Sequence, residues 1–527
     1  MSSTTSTPST QNCVVLDDLT LTWPDGTSVL DHLTGAFPAG RTGLTGANGT
    51  GKSTLLRVIT GQLSPTSGHL SAPGTVGYLS QRLTLDVDAT VADLLGVRSI
   101  VDALTAIEHG STDPSDFDTV GEDWDIRERC LADLASAGVE GLDETDLTRR
   151  IGTLSGGQTV LTALFGLCRT RHEVVLLDEP TNNLDRRARE YLHDAVTDHM
   201  SWAPTLIVAS HDMELLDLMD HTAELHHGSL TMFGGPYSAY REHLARRQAA
   251  AEQALSTAEQ ALKSEERQRI EAQTTLARRR SYARKDFANK RRPKAIMNNR
   301  KQEAQVSAGK LRTELDQKVN AAQSRVETRA AEVRRDDHVR VNLPDPDVPA
   351  GRVIAEIPLG GRDHVLRGPE RVAITGANGS GKTRLLEDLL AGRRGVLHTD
   401  QVGYLPQRSD HLDEDDSIID AVRTAAPAAD PQQVRADLAR FLFTGDAVHR
   451  RVGDLSGGER FRVSLARLLL ATPPNQLLIL DEPTNDLDLV TVDTLVDALA
   501  SYRGALIVIS HDEVLLDRLD THQASLR

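Results

Sequence analysis

Two strings of the form Gly-x-x-x-x-Gly-Lys-Ser/Thr occur in this chain: GANGTGKS at Gly46–Ser53 and GANGSGKT at Gly376–Thr383. Such a string constrains the fold strongly. Its glycines let consecutive backbone N–H groups curl around an anion where a helix begins. It therefore calls for a strand, a tight loop and a helix, the unit of a P-loop α/β domain. Each string is followed by the same further segments in the same order. In the first half these are Gln81, LSGGQ (Leu154–Gln158), VVLLDEPTNNLD (Val174–Asp185) and His211. In the second they are Gln407, LSGGE (Leu455–Glu459), LLILDEPTNDLD (Leu477–Asp488) and His511. An isolated motif would be a weak sign. Ordered repetition of the whole set points to two copies of one domain.

Coarse patterning agrees. At 527 residues the chain exceeds what one core organises. Val174–Leu177 and Leu477–Leu480 read as buried parallel strands, each ending at an Asp. Leu206–Ala209 and Leu506–Ile509 read as the next strands, each leading into Ser-His-Asp. The expected organisation is a tail over 1–10, a first domain over 11–240, a basic helical hairpin over 241–340 and a second domain over 341–527. Gln81 to Gln158 spans 77 positions, against 52 from Gln407 to Glu459. The surplus of about 25 is placed between Gly96 and Glu122 (about 96–122), as a short surface insertion. The second copy ends soon after His511, without the strands expected at Thr222–Phe233. No run of about 18 apolar residues suggests a membrane span. The Ser/Thr-rich first ten residues lack the apolar stretch of a signal peptide. Cys13, Cys130 and Cys168 show no metal or redox spacing and read as small buried residues of a protein in a reducing cytoplasm.

Charge separates the linker from the rest. The net charge is −17, yet residues 241–340 hold 25 Lys and Arg against 14 Asp and Glu, or +11. The remainder holds 34 against 62, or −28. An acidic body with a basic insert suggests that the insert alone meets a polyanion. From about Tyr240 to Leu276 and from about Val306 to Val333 the linker is rich in strong helix formers. Leu315, Val319, Ala322, Val326 and Val333 follow a 4-3-4-7 spacing, a seam for a partner helix. Two antiparallel arms of some 40 residues would extend about 60 Å. The tip is expected near 278–301, around the helix-breaking Pro293. It holds eleven basic residues and one acid, Asp286: Arg278, Arg279, Arg280, Arg284, Lys285, Lys290, Arg291, Arg292, Lys294, Arg300 and Lys301. Tyr282 and Phe287 are interleaved. So one-sided a run calls for nucleic acid, and Arg suits both phosphate contacts and stacking on the bases of folded RNA.

The motif chemistry is that of a nucleoside triphosphate. Gly46, Gly49 and Gly51, with Ala47, Asn48 and Thr50 between them, would wrap the phosphates; Gly376, Ala377, Asn378, Gly379, Ser380 and Gly381 match them. Lys52 and Lys382 would reach the β- and γ-phosphates, while the hydroxyls of Ser53 and Thr383 meet Mg²⁺. Asp178 and Asp481, at strand ends, would hold the same metal. The two halves differ at one neighbouring place, where Arg384 stands in the second copy and Thr54 in the first.

The ordered set resembles ATP-binding cassettes. The whole chain resembles the ABC-F proteins: twin cassettes, PTNxLD after each Asp-Glu pair, a charged helical linker. That resemblance implies a Mg²⁺-dependent ATPase in which Glu179 and Glu482 polarise the attacking water. It places His211 and His511 at the γ-phosphate and Gln81 and Gln407 at the metal. Trp23 would stack on adenine; the second copy has no aromatic between Arg335 and Gly376. Each LSGG loop would cap the ATP of the other cassette within one chain. Ser456, Gly457, Gly458 and Glu459 would complete the first site, and Ser155, Gly156, Gly157 and Gln158 the second. The family's partners would be the 70S ribosome, its RNA and the P-site tRNA. Arg291–Lys310 is similar to the linker of actinobacterial members, some of which protect ribosomes from macrolides, lincosamides or related antibiotics while others are housekeeping factors that relieve stalled ribosomes.

Overall fold

A computed structural model describes residues 13–81, 89–136, 139, 141–182, 184–226, 228–288, 294–333, 343–359, 362–376, 380–406, 412–427, 429–484 and 487–525. Two compact units result: Met1–Ser238 with Asp337–Arg527, and Ala239–Asp336.

In the first unit each cassette is built on a parallel sheet. Strand order in the first copy is Val76–Leu79, Val174–Asp178, Thr205–Ala209, Gly40–Thr45, His221–His226, Ser229–Gly234. The last strand is antiparallel to its neighbour. The second copy repeats this as Val402–Leu405, Leu477–Asp481, Ala505–Ile509, Arg371–Thr375, His522–Ser525. The second copy therefore does possess the strand after its histidine, contrary to expectation: His522–Ser525 pairs in parallel with Arg371–Thr375 as His221–His226 pairs with Gly40–Thr45. With only four residues, HQAS, of which one is a buried-type apolar, it gave no hydrophobic pattern to read.

The period of two along each central strand divides the core into layers. Val174 and Leu176 face Leu55 and Leu56 of the helix Lys52–Ile59; Val175 and Leu177 face Leu161 and Leu164 of the helix Gly156–Thr170. In the second copy Leu477 and Ile479 join Leu385, Leu386 and Leu389, while Leu478 and Leu480 join Val463 and Leu465. Each buried Leu or Val contributes about 1.5–3 kcal/mol, so both strand ends, where the Asp-Glu pairs stand, are firmly held. The stretch 96–122 is more than surface. It forms helices Arg98–Glu108 and Pro114–Val120, the latter capped by Asp113 with Pro114 at its first position. Val101, Leu104 and Val120 are buried in the first cassette's core.

The second unit consists of two long helices, Tyr237–Ala288 and Lys294–Glu332. At 52 residues the first would extend about 78 Å. The helices run further into the basic segment than the sequence suggests, reaching Ala288 and resuming at Lys294. Arg and Lys are good helix formers and nothing before Pro293 stops them. On the second helix Val319 and Ala322 are buried, and Leu315, Val326 and Val333 half-buried, as the seam requires. The first helix carries a matching 4-3 stripe of half-buried positions: Leu244, Gln248, Ala251, Leu255, Ala258, Leu262, Glu265, Arg269, Ala272 and Leu276. Arg269 reaches Asp316 of the second helix at 3.8 Å. Arg278 and Arg279 are exposed. Lys290, Arg291 and Arg292 lie outside the described residues, as do the side chains of Arg280, Arg284, Lys285, Lys294, Arg300 and Lys301. Among the described residues no helix is long and apolar enough to cross a membrane.

Candidate active site

The first P-loop leaves the strand Gly40–Thr45 through three glycines at φ +151°, +82° and +98° (Gly46, Gly49 and Gly51). Close approach adds a second constraint: a Cβ on Gly46 would stand 2.4 Å from the Leu225 carbonyl oxygen. Gly51 is the N-cap of Lys52–Ile59, and neither a side-chain cap nor an acidic residue serves that helix start. Its first-turn N–H groups and positive dipole end are thus left for an anion. The helix Lys382–Leu390 starts the same way, from Gly381 at φ +87°.

Lys52 donates to the carbonyls of Gly46 (2.7 Å) and Ala47 (3.3 Å). Burial lowers its pKa, opposed by the charges of Glu179, Asp488 and Asp178. Ser53 Oγ donates to Asp178 Oδ1 at 3.1 Å, and the Tyr78 hydroxyl to Oδ2 at 3.1 Å. Burial raises the Asp178 pKa against both hydrogen bonds. A buried carboxylate beside a serine hydroxyl at a helix start fits Mg²⁺: a cation would offset the cost of keeping that charge out of water. Thr383 and Asp481 stand at the equivalent positions, but both Asp481 oxygens are buried without a hydrogen-bond partner among the described residues, and burial again raises the carboxyl.

Glu179 and Glu482 both adopt a left-handed backbone, φ +48° and +47°. For a non-glycine residue this is strain of about 1–3 kcal/mol, of the kind found where a side chain must be aimed. Each is fixed by its N–H, donated to Ala209 and Ile509 carbonyls at 2.8 Å. His211 Nε2 lies 3.1 Å from Glu179 Oε1. Burial, then the Lys52 charge, pushes the His211 pKa down to about 3, so the ring is neutral. His511 Nε2 lies 3.0 Å from Lys382 Nζ and 3.5 Å from Glu482. Burial, then Lys382, pushes it down to about 4. Burial raises the Glu482 carboxyl to about 7 against the pull of Lys382.

The signature serines are helix caps. Ser155 and Ser456 each form a capping box, with Gln158 and Glu459 respectively. Arg450 donates to Glu459 at 2.7 Å. Burial alone would raise Glu459, but the Ser456 N–H and Arg450 outweigh it and hold the carboxyl below its usual range.

One cavity of about 700 Å³ gathers the first site from both cassettes. Trp23, Asn48, Gly49, Gly51, Lys52, Ser53, Thr54, Gln81, Glu179 and His211 line it, together with Ser456 and Gly457 of the other cassette. A Cβ on Gly458 would stand 3.8 Å from Asn48 Nδ2. Glu459 is engaged by Arg450 and Ser456 and does not line the cavity. Thr50 turns to the Ala47 carbonyl. In the second site Lys382 donates to the Gly376 carbonyl at 2.7 Å. Ser380 is exposed, and Ala377, Asn378, Gly379 and Gln407 lie outside the described residues.

Sequence reasoning missed the residues that tie the cassettes together. Asp488 accepts from the Asn48 N–H at 2.8 Å, across 440 positions of chain, and caps the helix Leu489–Ser501. Asp185 caps Arg186–Asp194, and its charge bears on Lys382 and His511. Arg186 pairs with Glu513 at 3.1 Å. The Leu-Asp closing each PTN string was the available signal for both aspartates.

Two nucleotide cassettes closed face to face define the class: this is a twin-cassette ATP-binding protein. A sequence model of the ABC transporter family matches residues 30–182 and 364–485. The chain belongs to that family and, within it, to the ABC-F proteins. It is similar to the tylosin resistance ATP-binding protein TlrC of Streptomyces fradiae, 32% identical over 93% of each chain. It is also similar to the energy-dependent translational throttle protein EttA of Haemophilus influenzae, 29% identical over 92% of this chain and 86% of the other. Among solved structures, an archaeal ribosome recycling factor in complex with a ribosomal stalk protein shares the fold, with TM-score 0.56, 18% identity and coverage of 95% and 86%. As an ABC protein the chain binds ATP and is an ATPase.

Proposed function

We propose that this chain is a cytoplasmic, ribosome-associated ABC-F ATPase. In its ATP-bound closed state it binds the tRNA exit site of the 70S ribosome. There it carries the linker toward the P-site tRNA and the peptidyl transferase centre. Its service to the cell is protection of ribosomes against antibiotics of the macrolide or lincosamide class. The observation carrying this is the composite cavity, in which Lys52 and Glu179 of one cassette share a site with Ser456 and Gly457 of the other. A site made of two halves is complete only when they are closed, so nucleotide state becomes shape. The basic hairpin is what that shape would move. The resistance named for the Streptomyces relative supports the antibiotic role; the similarity to the throttle protein keeps a housekeeping role on stalled ribosomes as a second reading.

In this mechanism Lys52 and the helix start at Gly51 bind the phosphates. Ser53, Gln81 and Asp178 would hold Mg²⁺ in the first site, and Thr383, Gln407 and Asp481 in the second; when bound, the metal neutralises phosphate charge. Glu179 and Glu482 orient water by accepting its proton, and the neutral His211 and His511 donate to the terminal phosphate. Trp23 stacks on adenine. Ser456 and Ser155, fixed by their capping boxes, cap the phosphate held by the opposite cassette.

Pelleting ribosomes from cells that express Glu179→Gln with Glu482→Gln tests the proposal. ATP-dependent co-sedimentation and arrested growth are expected. Recovery with membranes would point to the ATP-binding subunit of an efflux transporter and sink the ribosomal reading.

A further inference from the structure

The two sites differ in one buried charge. Arg189 stands in the first turn of the helix Arg186–Asp194, four residues after Asp185; four residues after Asp488 the second cassette has Val492. Arg189 donates to Asp212 Oδ2 at 2.9 Å, with the two side chains only 17% and 8% exposed. Asp212 follows His211 and caps Met213–Asp217; Asp512 follows His511 and caps Glu513–Arg518. Arg189, Asp212 and Asp512 line the far side of the same cavity that holds the first site. One turn earlier on the same helix, Arg186 pairs with Glu513 of the second cassette at 3.1 Å. This exposed pair places the helix beside the second cassette's histidine loop. The Arg189 Nε is buried without a hydrogen-bond partner among the described residues. Burial raises the Asp512 and Glu482 carboxyls and the Arg189 charge opposes that rise, while at His511 it adds to the lowering by burial and Lys382. The mirrored position of the first site is apolar, lined by Leu489 and Val492.

We propose that Arg189 is a positioning residue acting in trans: anchored by Asp212 behind the first cassette's histidine, its guanidinium organises the His511–Asp512 loop for hydrolysis at the second site, making the two ATP sites unequal. Asp212 and Asp512 would repel each other without a cation between them, and the repulsion would shift the loop that carries His511. A guanidinium anchored out of water by Asp212 keeps its orientation through the reaction, which is what lets a fixed charge act on a developing one. Valine offers the first site nothing comparable. The inference rests on Glu179 and Glu482 being the groups that activate water.

The test uses the full chain with one site silenced at a time. Glu179→Gln leaves the second site active and Glu482→Gln the first. Adding Arg189→Met should lower the second site's kcat roughly tenfold, as loss of one preorganised charge does. KM at that site should stay within about twofold, the signature of an interaction made in the transition state, and the first site, whose cavity Arg189 also lines, should lose less kcat than the second. Arg189→Lys should regain most of the loss. Should Arg189→Met fail to fold, Asp212→Asn keeps the helix cap, frees the guanidinium and should show the same order of sites. Equal losses at both sites, a larger loss at the first, or no loss at either overturns the proposal. Hydrolysis surviving in the Glu179→Gln, Glu482→Gln double variant would instead remove the assignment of the glutamates, a failure distinct from that of Arg189.

Discussion

His211 and His511 each sit beside a lysine, in places where a protonated ring would repel its neighbour and lose its water. Burial first and the lysine second keep both neutral, at about 3 and about 4. A neutral imidazole can donate one hydrogen bond to a terminal phosphate without releasing a proton when the phosphate leaves. The same arrangement has a cost in acid. The folded pKa lies below the ordinary 6.5, so below that pH the unfolded chain binds protons that the folded chain refuses. Stability should therefore fall as pH drops from 6.5 toward 3, by up to about 1.4 kcal/mol per pH unit for each histidine. His211→Gln removes one of the two. Between pH 8 and pH 5.5 its unfolding free energy should improve on the natural protein's by roughly 1 kcal/mol. Urea titrations at both pH values measure the gap, and a gap that does not change would mean His211 is protonated in the fold.

At the scale of elements, helix starts do most of the positioning. Two are left uncapped to take phosphate, two carry signature serines, and Asp488 both caps Leu489–Ser501 and accepts from the first P-loop. Asp488→Ala should cost about 1 kcal/mol for the cap and 1–3 kcal/mol for the charged hydrogen bond to Asn48. Asp488→Asn, which still caps, should lose mainly the second part; an Asp488→Asn protein with the natural urea midpoint would show that the bond across the cassettes contributes nothing. What could be read from sequence follows from this. Gly46, Gly49 and Gly51 were readable because φ near or beyond +80° leaves few other residues. The bond made by Asp488 was not, since the motif marks the aspartate but not its partner 440 positions away. The second linker helix showed its seam in Val319 and Val326. The first hid its own, because Gln248, Glu265 and Arg269 occupy stripe positions where an apolar pattern would be sought. Asp316, the partner of Arg269, lies beside the seam residue Leu315, so a polar contact accompanies the apolar one there. A polar residue in such a stripe specifies register at some cost in stability.

At the scale of the whole molecule, charge is divided by unit: −28 outside residues 241–340 and +11 within them. An acidic body is repelled by RNA, so any attraction to a ribosome has to come through the linker, whose basic residues concentrate in 278–301. The cassettes hold the ATP chemistry and the linker holds the positive charge, which means the two can be separated by mutation. Replacing Arg291, Arg292 and Lys294 with Ala removes three of the eleven basic residues there and touches none of the groups that line the nucleotide cavity. ATPase activity without ribosomes should stay within about twofold, since no transition-state contact is lost. ATP-dependent ribosome binding should weaken. Its dependence on salt should flatten as well, the slope of log affinity against log salt falling by roughly 2–3 for three lost phosphate contacts. Sedimentation across a salt series separates this from simple misfolding, which would lower binding and ATPase activity together. An unchanged slope with intact drug protection would mean that the basic tip does not meet RNA, and the working end would then have to be sought elsewhere on the hairpin.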